Sequence, residues 1–214
     1  MRFYDCADPD ARQAGLTDAL RAVRDGQLVV LPTDTVYGVG ADAFNSGAIE
    51  ALLAAKGRGR DMPVPVLVGN AAALHGLVDV VPQSGTDLVD AFWPGALTLV
   101  LRHAPALAWD LGETRGTVAV RMPLHPVALD LLQQTGPMGV SSANRSGAAP
   151  ATTAMDAQTQ LGDVVAVYLD AGATADAVPS TIVDLTGLHP RVLRAGAVSI
   201  ADLRTVVPDL EVPS

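Results

Sequence analysis

The sequence predicts a single α/β (α+β) domain built on one mixed parallel and antiparallel sheet, and three observations carry that prediction. Short apolar, β-branched runs alternate with longer stretches of helical periodicity, the pattern of a sheet with flanking helices. Several neighbouring strand-like runs have no helix between them, so the sheet is expected to be mixed rather than purely parallel. No linker, repeat or low-complexity run interrupts the 214 residues. One domain is therefore expected over residues 1–207, with a short polar tail at 208–214. A chain of this length can bury one sizeable core.

A first helix is expected over residues 8–25, with Pro9 early, Leu16, Leu20 and Val23 on one face, and Gly26 as its stop. Residues 28–31 read as a buried strand, and a polar loop follows. Asn45 and Ser46 cap a helix that carries Ile49, Leu52 and Leu53 and ends at Lys56, with Gly57 as the terminating glycine. Residues 64–68 form a strand whose early Pro65 marks it as an edge or irregular one. Then come a helix over 86–92, strands over 97–101 and 117–121, a helix over 126–134 and a strand over 139–141. Beyond the Ala148-Ala149-Pro150 loop, a short helix near 155–161 precedes strands at 165–169, 181–185 and 191–193 and a closing helix near 200–207.

Composition narrows the function. The chain is 49% hydrophobic with a net charge of −9, so coating nucleic acid is not supported, although a local basic pocket remains open. One cysteine, Cys6, excludes an intrachain disulfide framework, and no Cys/His set has zinc-ligand spacing. The first six residues lack the apolar core of a signal peptide, and the stretch at 91–101 is broken by Pro94 and Gly95 and too short to span a bilayer. A cytoplasmic protein without membrane segments is expected.

Thirteen of the fourteen basic residues are Arg, and Lys56 is the single lysine. Under a coding bias that places Arg wherever it will serve, a surviving lysine is informative, because a compact ammonium and a planar guanidinium differ in shape and hydration.

Four segments could carry chemistry. Gly38 to Ala43 satisfies G-x-G-x-x-A, but the helix begins later, at Asn45-Ser46, and Lys56 and Arg58 stand where an acidic ribose ligand is expected, so a dinucleotide site is not supported. In the same segment Thr33, Thr35 and Tyr37 alternate; if extended, their hydroxyls face one side and suit a small polar ligand. Lys56-Gly57-Arg58-Gly59-Arg60 makes a flexible basic clamp for phosphate, although cations at a helix C-terminus also simply complement the dipole. Ser141-Ser142-Ala143-Asn144 ends a strand, where open α/β sheets bind ligands, or is a Ser/Asn-rich turn. Arg121 and Arg194 end apolar strands, a costly placement unless each meets water, a partner or an anion. No G-x-S-x-G elbow supports a serine hydrolase.

Together these segments resemble the YrdC-like family of threonylcarbamoyl-AMP synthases. The resemblance rests on residues 32–38 (PTDTVYG), Lys56-x-Arg58, residues 92–98 (FWPGALT), Val118-Ala119-Val120-Arg121, Ser142-Ala143-Asn144, Pro179-Ser180-Thr181 and Leu193-Arg194-x-Gly196, in the family's order. It implies a single twisted mixed sheet with flanking helices curved around a deep pocket. It also implies a reaction in which L-threonine, bicarbonate (or CO2) and ATP give threonylcarbamoyl-AMP and pyrophosphate. The product would feed threonylcarbamoyl modification of the adenosine beside the anticodon, through a downstream tRNA-modifying transferase complex.

By correspondence, Thr35, Arg121, Ser180 and the Val140 backbone should hold threonine, with Thr33 beside them. Arg58, Met62, Thr117, Ser142, Pro150 and Arg194 should line the ATP site, with Lys56 and Asn144 completing its polar wall. Lys56 and Arg58 are the candidate catalytic residues. Mg2+ is expected through the triphosphate, with no protein metal site. Leu67 stands where some archaeal relatives place a threonine-contacting histidine, so a contact there must be apolar or through backbone. Longer members carry a second C-terminal domain, for which no room is expected after Val207. The alternatives are a paralogue that adenylates carbamate or carbamoyl phosphate, and an RNA-binding module, which the net charge does not favour.

Overall fold

The computed structural model describes residues 1–175 and 177–212. In chain order, β1 (Arg2–Asp5) leads through α1 (Pro9–Arg24) to β2 (Leu28–Leu31), β3 (Gly38–Asp42) and α2 (Ser46–Lys56). The middle of the chain runs β4 (Val66–Leu67), α3 (Leu74–Leu77), α4 (Gln83–Phe92), β5 (Leu97–Arg102), β6 (Thr117–Arg121) and α5 (Pro126–Thr135). It ends with β7 (Met138–Ser142), α6 (Ala154–Leu161), β8 (Val165–Asp170), β9 (Thr181–Asp184), β10 (Arg191–Arg194) and α7 (Ile200–Val206). Of the expected tail, Leu210 is buried and the Glu211 amide bonds the Pro190 carbonyl, while residues 213 and 214 lie outside the described residues.

Among the described residues ten strands form one sheet in the order β1-β8-β2-β3-β7-β4-β6-β5-β9-β10. Parallel pairs (β1/β8, β2/β8, β4/β6, β5/β9) stand beside antiparallel ones (β2/β3, β3/β7, β4/β7, β5/β6, β9/β10), as expected for a mixed sheet.

The helix boundaries follow local chemistry. Asp8 caps α1 by accepting from the Ala11 amide, and Gly26 leaves it at φ +73°. Asn45 caps α2 by accepting from the Ala48 amide, and Gly57 ends it in the left-handed region at φ +62°.

Three strands differ from expectation. β3 lies in the expected polar loop, where glycine weakens the strand pattern yet permits the pairing. A Cβ on Gly38 would stand 2.6 Å from Val140 Cγ1 across the ladder, and one on Gly40 would stand 2.9 Å from Val140 Cγ2. β4 keeps only two residues, the irregular strand of the two alternatives, and lies in the interior between β7 and β6 instead of at an edge. Pro65 is tolerated there because it acts as an acceptor, taking the Val140 amide at 2.8 Å. β1 was not foreseen, and its residues are mostly exposed at the sheet edge.

Period-two alternation divides the strands between two faces. Leu97, Leu99, Leu101, Val118, Val120, Val183 and Val192 bury on one face, in the larger core with Leu52 of α2, Leu88 of α4 and Leu203 of α7. On the other face α1 and α5 pack together over Val29, Leu31, Met138, Val167 and Leu169. That second cover extends over only part of the sheet. Farther along the same face, Val100, Ala119 and Ile182 are half-buried and Leu193 is exposed, and together they floor a cleft.

Candidate active site

The cleft holds about 440 Å³, within the range of small-molecule sites. Its floor is apolar, formed by Leu67, Val100, Ala119, Val140, Ile182 and Leu193, and its polar rim includes Arg58, Arg121 and Arg194. A chain of net charge −9 thus gathers three guanidiniums around one hollow.

The first wall is built around Arg121, 6% exposed at the end of β6. Each nitrogen of its guanidinium is held by a different group. Nε donates to the Gly95 carbonyl at 2.9 Å, Nη1 to Thr35 Oγ1 at 3.0 Å, and Nη2 to Asp34 Oδ1 at 2.7 Å. The same Asp34 oxygen accepts the Leu124 amide at 2.8 Å. Thr33 Oγ1 donates to the Val36 carbonyl at 2.7 Å, so the 3.0 Å contact between the two threonine hydroxyls runs from Thr35 to Thr33. The Thr33 hydroxyl is therefore fully occupied within its own turn, and Thr35 is the one presented to the guanidinium.

Next to this group, Arg194 donates through Nε and Nη2 to the Ser180 carbonyl at 3.1 and 2.8 Å, and Ser180 Oγ meets Thr98 Oγ1 at 2.8 Å. Gly196 permits this turn, since a Cβ there would stand 2.3 Å from the Pro179 carbonyl oxygen. Burial draws Arg121 and Arg194 below the ordinary guanidinium range, and Arg194 lowers Arg121 further, whereas Asp34 opposes the shift.

The second wall is the loop after β7. Lys56 is 3% exposed, and its Nζ donates to the Ser142 carbonyl at 2.5 Å and the Asn144 carbonyl at 2.7 Å. Its own carbonyl accepts the Ser146 amide at 2.8 Å, so the loop grips the lysine at both ends. Asn144 Nδ2 donates to the carbonyls of Arg145 and Ala148, both at 2.9 Å, which leaves its buried Oδ1 with no partner among the described residues. Arg58 Nη1 donates to Ser141 Oγ at 3.2 Å, and its buried Nε is likewise unpaired among them. Burial first, and the neighbouring Arg58 second, push the Lys56 ammonium down to about 8.

Most of the expected residues therefore converge. Thr33, Thr35, Arg58, Leu67, Arg121, Val140, Ser142, Pro150, Ser180 and Arg194 all line the cleft. Lys56 and Asn144 stand behind the lining rather than in it. Met62 is 44% exposed beside the lining Pro63, and the Thr117 hydroxyl is turned to the Thr114 carbonyl at 2.8 Å.

Two details of the sequence reading fail. Arg60 turns outward to pair with Asp110 at 2.6 Å instead of joining the clamp. Residues 32–37 are not extended, and the fully buried Tyr37 sends its hydroxyl to the Gly172 carbonyl at 2.6 Å, away from the threonine hydroxyls. Thr98 and Asp34 were missed. Thr98, a hydroxyl in an otherwise apolar strand, was the available signal; Asp34 was hidden inside a segment read for its threonines.

Known proteins share this architecture. The family model described as "Telomere recombination", covering Sua5, YciO and YrdC, matches residues 21–196. A Mycobacterium tuberculosis (strain H37Rv) protein, provisionally named a threonylcarbamoyl-AMP synthase, is 59% identical over 204 residues, covering 95% of this chain and 94% of that one. The threonylcarbamoyl-AMP synthase of Bacillus subtilis is 36% identical over 213 residues, covering 98% of this chain and 62% of the relative. The crystal structure of Pyrococcus abyssi Sua5 complexed with L-threonine superposes with a TM-score of 0.91 at 31% identity, covering 99% of this chain. This chain spans 62% of that archaeal protein's length.

Proposed function

The chain belongs to the Sua5, YciO and YrdC family, and on that premise we propose that its cleft makes threonylcarbamoyl-AMP and pyrophosphate from L-threonine, bicarbonate or CO2, and ATP. The observation that carries this reading is the gathering of Arg58, Arg121 and Arg194 around an apolar floor in an acidic chain. All three reactants or their products are anionic, and such a rim attracts them while the floor excludes water.

The chemistry follows from the two walls. Arg121, Thr35 and Ser180 hold the threonine carboxylate and neighbouring groups, with Val140 and Leu67 against its carbon atoms. The threonine amine, as the free base, attacks the carbon of CO2 and loses a proton to solvent, giving a carbamate. A carbamate oxygen then attacks the α-phosphorus of ATP, and the bond from that phosphorus to the bridging oxygen breaks as pyrophosphate leaves. Arg58 and Arg194 stabilise charge on the phosphates, and Lys56 adds its field from behind Ser142. No side chain forms a covalent bond, so alignment of carbamate and phosphorus is the main contribution.

Mg2+ fits this scheme as a passenger of the triphosphate. Among the described residues there is no group of three His, Cys, Asp or Glu that could hold a metal, and the rim offers hydroxyls and carbonyls to a metal–ATP complex rather than a carboxylate cage. When bound, the ion would neutralise phosphate charge. The product is a mixed anhydride, suited to threonylcarbamoyl transfer onto a tRNA adenosine by a separate transferase, a role we read as cytoplasmic. No described helix is long and apolar enough to cross a membrane.

Pyrophosphate release in the presence of ATP, threonine and bicarbonate tests the proposal. Release should cease without threonine; release indifferent to threonine would favour a carbamoyl-adenylating enzyme instead.

A further inference from the structure

Asp34 is not part of the cleft lining, and the family resemblance assigns it no role. We propose that Asp34 is a positioning residue for the amino-acid substrate, aiming Arg121 at the substrate carboxylate; this rests on the threonine site proposed above. Five N–H groups fan out from the guanidinium, and three are held by Gly95, Thr35 and Asp34. One N–H on each terminal nitrogen is left. With every nitrogen anchored to a different segment, the plane of the group is fixed before any ligand arrives.

Asp34 is the anchor that no neutral group replaces. Its side chain is 15% exposed against 8% for Arg121, so their contact is a shielded ion pair. One oxygen, Oδ1, serves both Arg121 Nη2 and the Leu124 amide, which ties the turn after β6 to the threonine turn at 33–36. Asp34 also balances the charge of Arg121 beside Arg194. Without it, the repulsion from Arg194 would be uncompensated and Nη2 would lose its anchor, so the guanidinium plane would be held only by Gly95 and Thr35. Arg121 would then still be present but would have to be ordered by the substrate itself, which weakens binding rather than chemistry.

The test is threonine-dependent pyrophosphate release by the full chain carrying Asp34→Ala or Asp34→Asn, alone and combined with Arg121→Ala. Asp34→Ala should raise the KM for threonine about ten- to hundredfold, the value of a charged hydrogen bond. It should leave the KM for ATP within about twofold and most of kcat at saturating threonine. Asp34→Asn should lie between, because the amide oxygen still accepts both N–H groups. In the Arg121→Ala background Asp34→Ala should add nothing.

Equal increases in both KM values would overturn the proposal in favour of a structural role, as would an undiminished effect without Arg121. If Asp34→Ala does not fold, the same comparison is read from Asp34→Asn, and an unchanged threonine KM in that variant overturns the proposal. Should Arg121→Ala itself leave the threonine KM unchanged, the threonine site fails, and Asp34 with it. A raised KM in Arg121→Ala beside a neutral Asp34→Ala sinks only the positioning role.

Discussion

Both walls of the cleft bury a cation, but they satisfy it differently. Arg121 meets a carboxylate, so its pair with Asp34 is close to neutral and supplies geometry. Among the described residues Lys56 meets only backbone carbonyls, those of Ser142 and Asn144, so its charge is solvated by dipoles yet not cancelled. The difference shows in the two shifts. Asp34 opposes the downward pull on Arg121, whereas Arg58 adds to the downward pull on Lys56. A neutralised cation suits recognition of a fixed carboxylate; an uncancelled one suits a triphosphate, whose charge is larger and changes during the reaction.

Removing the centre of the first wall should give the largest effect. Arg121→Ala leaves Asp34 largely buried without its ion partner and deletes the proposed carboxylate contact, so kcat/KM for threonine should fall about 10²–10³-fold. Steady-state kinetics with threonine varied at saturating ATP would check it. A loss confined to ATP would break the distinction between the walls.

Gly196→Ala should be next. The added Cβ meets the Pro179 and Ser180 backbone at 2.3–2.6 Å, so the turn carrying Ser180 must shift. Overpacking of this kind costs roughly 1–3 kcal/mol, readable as a lower Tm, and the Arg194–Ser180 contacts should loosen with it. Gly57→Ala is the control. Its Cβ would have open space, so only the left-handed backbone opposes it, at about 1 kcal/mol.

Lys56→Arg sharpens the second wall. Charge is retained, but a planar fork does not fit between two carbonyls that converge on one nitrogen at 2.5 and 2.7 Å. The Ser142–Ser146 segment should move, raising the KM for ATP about tenfold while threonine affinity stays near its original value. An unchanged KM for ATP would show the lysine to be incidental.

The sequence showed the elements well and the pairings poorly. Pro9 and Gly26 for α1, and Asn45 and Gly57 for α2, placed both helices to within a residue or two, because helix start and stop signals are local chemistry. β3 escaped, since its glycines weaken strand propensity and only the close approach of Val140 explains them, while β4 was expected but not its interior position beside β7. In the site, charged residues at strand ends pointed to Arg121 and Arg194, since burying such a group demands a partner. What the chain could not reveal was which partner each had. That Arg60 faces Asp110 while Arg58 faces Ser141 depends on the path of the loop, not on composition. Ten of the candidate residues lie on one lining, whereas the apolar floor depends on which face of each strand is left uncovered, which no single segment shows.

The smallest effect is the most diagnostic, because Lys56 is the single lysine and a chain labelled with 13C-lysine gives one titrating signal. Its midpoint should lie at about 8 in the free protein. Between that value and the ordinary lysine range near 10.5, the unfolded chain holds a proton that the folded chain has released. The contribution of this group to stability therefore rises with pH across the window and is absent below pH 8, where both states are protonated. Ligand binding runs the other way. Pyrophosphate or ATP favours the charged ammonium, so its midpoint should rise by up to about a unit on binding, and the KM for ATP should climb a few-fold from pH 8 to 9. Threonine alone, bound at the neutralised Arg121 wall, should leave the signal in place. Stability and ATP affinity thus move in opposite directions above pH 8, as expected of a cation buried without a counter-charge until its substrate supplies one.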